Sequence, residues 1–553
     1  MRRRLTTAVA ASAALVPLAM VHAGGAQVAA PVFAGAVRLP GSDGGTEPRL
    51  TVTPDGRRWV ITNQNSTAVV YESSDGVRWA KTAGNPAGQV APSIDVDITA
   101  TRTGRLVATE LDFSGPAIIT SYSDNGGQTW TASASFLLGP ALNGTELVDQ
   151  DRPWLAAGPD DPATHQPRVY LLFHNLLSGA ATHNMYVSTS SDGGATFGPP
   201  IPTTLPGRQA WVDLQCADSG GPSDIVVNQK TGQVYAVWGT RSSAVGGCGA
   251  SVTGSFEINV VAATRVWVAT APAAGTADPT QWTQSLAVDD NASGRIVGMQ
   301  LAPGALDTAG NMYVFYPESP NAYPDYDGAA LRYVHAPANL SSWSQPVTVA
   351  APGGAGHLLP HVVAGDPGKL DFAYFTGVAR GSGAPLWYAT AAQTLDGLSA
   401  SPHIVETRLS GIPTYQWTAS QMMGACGSGP AAGVENGFAC NRSTDVWGIG
   451  LDAQCRELVT WPVQSKSVSG APPDAKDTEG TYVAVQSFGP ALCAGSTAAA
   501  VPAPRATAQP SSGVQAAVSL PNTAAPGPPA TAATLAGAVV LLLLAGARVR
   551  RRR

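Results

Sequence analysis

Residues 190–197 read SSDGGATF, and the phrase recurs in altered form as SSDGVRW at 73–79 and SDNGGQTW at 123–130. Each copy follows a short β-rich run, VVYES, IITSYS or MYVSTS, so each is placed in the hairpin after a strand. An Asp or Asn side chain can accept hydrogen bonds from the backbone N–H groups of such a turn, glycine supplies a positive φ, and the closing aromatic packs inward. The phrase therefore reads as a structural fastener built from Ser73, Asp75 and Trp79, then Ser123, Asn125, Gly127 and Trp130, then Ser190, Asp192, Gly194, Thr196 and Phe197.

Around these hairpins a larger unit repeats: a short apolar strand, a turn with glycine, and a second strand rich in Val, Tyr, Trp and Phe. It occupies 48–62, 92–109 and 152–173, with weaker copies at 223–238, 297–316, 361–375 and 445–461. Seven units spaced about 45 to 85 residues apart leave room for one four-stranded sheet each. The expected fold is all-β, a propeller of seven blades, or of six if the last two units share a blade. Radial repetition buries the sheet faces and leaves few open edges. The segment VFAGAVRL at 32–39 is free to add the outer strand of the last blade and close the ring.

The hairpin phrase resembles the Asp-box of the bacterial neuraminidase repeat family, Ser-x-Asp-x-Gly-x-Thr-Trp/Phe. The copy at 190–197 matches every position; the second has Asn125 for Asp, and the first is one residue short before Trp79. The region 45–490 is similar to secreted sialidase-like propellers. That resemblance implies three arginines holding a sugar carboxylate, a Tyr nucleophile polarised by a Glu, and an Asp acid/base, a variant of the usual two-carboxylate scheme. The first arginine would stand in an Arg-Ile-Pro that opens the first blade. Here TEPRLTVTPDG at 46–56 has the length and the turn, but Thr46 and Glu47 replace Arg and Ile, and only Pro48 matches. Strand alternation turns Arg49 to the face opposite Pro48. The clamp is read as broken. Arg152, Arg241, Arg265 and Arg332 could still surround an anion, among 18 arginines between 31 and 495.

The site candidates follow from this frame. DQDRPW at 149–154 sets Asp149, Asp151 and Arg152, the catalytic candidates, and Trp154 at the start of a blade, near the axis. Ligand candidates beside Trp154 are Glu47, His361 and the loop YPESPNAYPDYDG at 316–328. That loop offers Tyr316, Glu318 and Tyr323 for stacking on a sugar or for carboxylate coordination of Ca²⁺. The plainer reading of these residues is ion pairing, core packing and a polar turn. No Gly-x-Ser-x-Gly motif and no phosphate-cradling loop occurs, and no cofactor or metal site is expected.

The ends speak of export. Residues 1–23 have a basic start, an apolar run and small residues before Ala23, as in a signal peptide. Residues 31–495 are the propeller, and 496–519 form a linker rich in Ala, Pro, Ser and Thr. Residues 520–553 open with LPNTA, which resembles the Leu-Pro-x-Thr-Gly sorting signal of cell-wall proteins with Ala524 for Gly. An apolar stretch at 531–547 and a basic tail follow. The expected location is the cell surface, held by the wall through a sortase or by the membrane itself. Without the eight arginines of the two ends, 24 of the 32 basic residues face 38 acids, a net charge of −14. Nucleic acid is excluded as a partner, and an extracellular glycan or protein is expected. Six cysteines in an exported chain suggest three disulfides; sequence order pairs Cys216 with Cys248, Cys426 with Cys440 and Cys455 with Cys493, out of 15 connectivities.

The resulting expectation is a surface-anchored propeller, non-catalytic or divergent, that recognises a glycan or a protein. The alternative is an exo-α-sialidase or related exo-glycosidase using other arginines.

Overall fold

The computed structural model describes residues 30–494 apart from 66, 87–92, 113–116, 135–149, 176–183, 216–220, 241–262, 298–300, 323–326, 382, 420–446 and 465–477. The expected signal peptide, linker and sorting segment lie outside this range, as do Asp149, Tyr323, Arg241, Cys216, Cys248, Cys426 and Cys440. Among the described residues no helix is long and apolar enough to cross a membrane.

Seven antiparallel sheets follow one another along the chain. Blade one comprises Gly45–Val52, Arg58–Gln64, Ala68–Ser73 and Ala80–Lys81. Blades two, three and four begin at Ser93–Ala100, Gln150–Asp160 and Pro222–Val227, and each adds three further strands in sequence order. In blade five, Arg295–Val297 and Gly304–Leu306 both pair with Met312–Ala322. Blade six starts at His357–Ala364 and blade seven at Gly448–Leu451 as separate sheets, so the six-blade alternative is excluded.

Closure comes from the N-terminal segment. Val32 pairs with Phe488 and Val37 with Val483, which makes residues 32–38 the outer edge of blade seven. The last blade thus mixes both ends of the propeller and hides its open edge by strand addition.

The cores lie between blades, and the two-residue period of a strand determines which blade each side chain meets. In blade one, Val60 and Tyr71 pack towards blade seven against Leu458 and Val483, while Trp59 and Ile61 pack towards blade two against Ile98 and Ala108.

The hairpins that carry the repeated phrase join the third and fourth strands of blades one, two and three. Ser73, Ser123 and Ser190 each accept, through Oγ, the backbone N–H of Gly76, Gly127 and Gly194 at 2.7, 2.9 and 2.8 Å. Asp192 Oδ1 accepts the Thr196 N–H at 2.9 Å, and Asn125 Oδ1 does the same for Thr129 at 2.9 Å. The three glycines have φ of 77°, 70° and 87°. A Cβ there would also strike the preceding blade: Val485 from Gly76, Thr82 from Gly127 and Val107 from Gly194. The hairpins therefore fasten blade to blade as well as closing a turn. A hairpin of the same kind, unnoticed in the sequence, closes blade six. Asp396 Oδ1 accepts from Thr394 Oγ1 and the His403 N–H, and Gly397 O accepts the Tyr333 hydroxyl of blade five.

Candidate functional site at the propeller axis

The first strands of all seven blades surround a central cavity of about 380 Å³. Most of its wall is aliphatic and backbone, from Leu50, Thr99, Ala156, Val227, Leu306 and Ile449. Arg49, Asp224 and His361 supply charge and hydrogen bonding at one end. From them the cavity runs towards Gln229, Ala364 and Leu451, beside the hairpins that join first and second strands.

A recurring irregularity aims these side chains. Pairing between first and second strands skips between Thr46 and Arg49, Ile94 and Asp97, Asp151 and Trp154, and Leu358 and His361. Within each skip one residue that is not glycine adopts positive φ: Glu47 at 48°, Asp95 at 47°, Arg152 at 54° and Leu359 at 54°. Such bulges re-aim side chains, and this backbone region costs about 1–3 kcal/mol per residue. Equivalent positions therefore form two tiers: Glu47, Asp95, Arg152 and Leu359, then Arg49, Asp97, Trp154 and His361. This corrects the alternation argument for Arg49, because the bulge brings its side chain to the axis.

Arg49 is the hub of the second tier. Its Nε donates to Asp97 Oδ1 at 3.1 Å, its Nη1 to the Trp447 carbonyl at 3.4 Å, and its guanidinium lies 5.0 Å from the Trp154 ring centre. Asp97 also accepts the N–H groups of Ile98 and Leu155, both at 2.8 Å. Trp154 and Trp447 in turn donate to the carbonyls of Pro222 and Leu359. One ion pair thus links residues from six of the seven blades. Burial pushes the Asp224 carboxyl up to about 7, with Arg49 opposing and Asp97 reinforcing the rise. Burial, helped by the Arg49 charge, takes the His361 imidazole well below its ordinary value. His361 stacks edge-on against Trp447 at 5.5 Å, and its buried Nε2 has no hydrogen-bond partner among the described residues.

The first tier is acidic. Glu47 Oε2 accepts the Asp95 N–H at 3.1 Å, and Asp151 Oδ2 lies 3.0 Å from His174 Nε2 and 3.6 Å from Arg152 Nε. All five residues are buried. Burial and the charges of Glu47 and Asp151 drive the Asp95 carboxyl well above its usual range. Burial would raise Asp151 too, but the His174 hydrogen bond and charge, with Arg152, hold it at about 2. This is the arrangement of a carboxyl pair sharing a proton.

The other candidates stand apart from this site. Tyr316 is buried between blades four and five, and Glu318 accepts from Arg332 at 2.6 Å with Arg295 at 3.5 Å. Arg265 is committed to Asp213 and Asp289. Arg152, Arg265 and Arg332 therefore serve separate acidic partners and do not form a common clamp. Cys455 and Cys493 are joined by a disulfide. Asp97 and Asp224 were missed in the sequence, where only their place in the first strand of a blade could have marked them.

No protein family's sequence profile matches the chain, and no curated protein sequence does. Solved structures do resemble it. A family 25 polysaccharide lyase, an ulvan lyase, is 11% identical over 82% of this chain and 94% of its own, with a TM-score of 0.45. The α-L-arabinofuranosidase Arb93A of Fusarium graminearum is 9% identical over 83% of this chain and 98% of its own, at 0.39. The NanB sialidase of Streptococcus pneumoniae is 9% identical over 83% of this chain and 70% of its own, at 0.38.

Proposed function

We propose that this chain is a sialidase-like Asp-box propeller of the cell surface that binds an uncharged or amino-bearing extracellular glycan at its axis and does not hydrolyse sialosides. Export by residues 1–23 and anchoring through 520–553, to the wall by a sortase or in the membrane, belong to the same reading.

The observation that carries it is Glu47. Where the resemblance calls for Arg-Ile-Pro, this chain has the neutral Thr46 for the clamp arginine and, next to it in the place of Ile, the acid Glu47 at a bulge beside Asp95 and Asp151. An anionic sugar would meet like charge there, and the arginines available on the axis, Arg49 and Arg152, are already paired with Asp97 and Asp151. The cavity itself is of a size suited to one or two sugar rings. Its polar end, a carboxyl at Asp224 and a neutral imidazole at His361, suits hydroxyl groups better than carboxylates.

A second reading rests on Asp224. A carboxyl that keeps its proton near neutrality beside an ion-paired carboxylate, Asp97, is what a glycosidase needs as general acid.

The test is a pair of assays on the purified protein with its disulfides intact. Hydrolysis of a fluorogenic α-sialoside is measured first, then binding to arrayed neutral, amino and sialylated glycans, with Asp224→Asn as the variant. Binding to neutral or amino glycans, weakened at least tenfold in Asp224→Asn and without sialoside turnover, supports the proposal. Sialoside turnover, or preferential capture of sialylated glycans, overturns it. Turnover of neutral aryl glycosides that disappears in Asp224→Asn selects the second reading.

A further inference from the structure

A second polar constellation lies away from the axis, between blades six and seven. Asp371 and Gln393 stand opposite each other on neighbouring strands of blade six. Glu457 and Gln486 occupy the adjacent strands of blade seven that begin at Glu457 and end at Phe488. All four share a strand face with residues of the core between these blades: Ala373 and Phe375, Ala389 and Ala391, Val459 and Trp461, Tyr482 and Ala484. They are buried to 0, 2, 0 and 1% exposure respectively, so no side chain here is hydrated from bulk solvent.

The donors in this group are already used. Gln393 Nε2 donates to Asp371 Oδ1 at 2.8 Å and to the Pro490 carbonyl at 3.1 Å. Gln486 Nε2 donates to the same carbonyl at 2.8 Å, and its Oε1 accepts the Glu457 N–H at 3.1 Å. What remains is a set of acceptors: among the described residues, Asp371 Oδ2, Gln393 Oε1, Glu457 Oε1 and Glu457 Oε2 have no hydrogen-bond partner. Leaving one buried polar atom unpaired costs about 1–3 kcal/mol, and more for a charged group, so four together on one face call for a common partner.

The geometry points to a divalent cation as that partner: we propose that Asp371, Gln393 and Glu457 form a Ca²⁺ site that locks blade six to blade seven. The donor set is all oxygen, carries two carboxylates, and includes one carboxylate with both oxygens available for bidentate binding. That is the chemistry of a hard cation and not of zinc or copper. Among the described residues no three of His, Cys, Asp and Glu gather as metal ligands. The site takes its third protein ligand from an amide, leaving the remaining positions to water. A small cavity of about 180 Å³, lined by Gln393, Leu395, Asp396, His403 and Val405, adjoins the site at Gln393. The position has mechanical meaning. Blade seven carries the N-terminal strand, and the segment after its last strand, Pro490 to Cys493, is tied to this same corner by the Gln393 and Gln486 bonds and the disulfide to Cys455.

In the absence of a cation the same groups would have to keep protons. Burial and the Asp371 charge drive Glu457 well above the usual range, and burial takes Asp371 to about 8.

The experiment uses the full chain stripped with EDTA and titrated with Ca²⁺ alone by calorimetry. One ion per chain is expected, in the 10⁻⁵ to 10⁻³ M range of partly protein-ligated sites. The midpoint of thermal unfolding should rise by about 1–4 °C in ~10 mM Ca²⁺. Tb³⁺ added to the unaltered protein should luminesce through the nearby Trp461 and be displaced by Ca²⁺, a readout that requires no variant to fold. Glu457→Gln and Asp371→Asn, checked for native circular dichroism, should each weaken binding at least tenfold, and the axial Asp95→Asn should leave it within twofold. Absence of both binding heat and Tb³⁺ luminescence overturns the site. Binding that survives Glu457→Gln, or is lost in Asp95→Asn, overturns its location.

Discussion

The Arg49 guanidinium and the Asp97 carboxylate stand 3.1 Å apart on the first strands of blades one and two, with 14 and 5% of their side chains exposed. Around this pair the axial side chains are ordered: Trp154 stacks on the cation, Trp447 offers it a carbonyl, and Leu155 donates to the anion. Removing one partner of a buried pair leaves the other uncompensated, at about 3–5 kcal/mol. Arg49→Met and Asp97→Asn should each lower stability by that order in urea unfolding. The double variant should lose less than the sum, because no lone charge remains. Additive losses would show that the pair does not act as a unit.

Asp192 accepts from the Thr196 N–H and hydroxyl and from Ser190 Oγ. Asp192→Ala should cost about 1–3 kcal/mol, read as a fall in Tm. Asp192→Asn should cost much less, because Asn125 already performs the task in blade two. If both variants unfold with the unaltered protein, the hairpins are not fasteners.

The pH dependence has a definite sign. Native Asp224 holds its proton up to about 7, whereas an unfolded aspartate releases it near ~3.9. Between these values the native state binds more protons, so this group's contribution is complete below pH ~4 and is lost as pH rises to about 7. Asp224→Asn removes that slope. Relative to the unaltered protein, the variant should gain roughly 1–4 kcal/mol on going from pH 4.5 to 7.5, measured by denaturant titration. A constant difference across that range would return Asp224 to ordinary carboxylate behaviour.

Closure of the ring depends on two ties in blade seven. The Cys455–Cys493 disulfide spans 38 residues, and its replacement by serines should cost about 2–4 kcal/mol by the loop-closure argument. Deleting residues 31–38 exposes the edge at Tyr482, Val483, Gln486 and Phe488. Limited proteolysis should then cut blade seven first. Resistance equal to that of the intact chain would show that the edge strand is dispensable.

Much of this architecture is legible in the chain itself. Seven units with alternating apolar residues, turns containing glycine and a hairpin phrase written three times identify a propeller, because these patterns act locally. Strand period, turn φ and Asx hydrogen bonds need only residues a few positions apart. The N-terminal strand was legible too, as an unpaired β segment before the first unit.

The axial chemistry was not. Arg49 was set aside because alternation was carried through TEPR, whereas the bulge at Glu47 and Pro48 interrupts the count. Its partner Asp97 is 48 residues away, and Asp371 and Glu457, facing each other across blades six and seven, are 86 apart. Nothing local distinguishes Glu457 in ELVTW from a solvent-facing strand residue. The sequence by itself determined the propeller of repeated blades and the fasteners of the first three, since those follow from short-range backbone preferences. Only the tertiary structure decided which charges meet, because ring closure and the bulges at the axis bring together side chains that no periodicity relates.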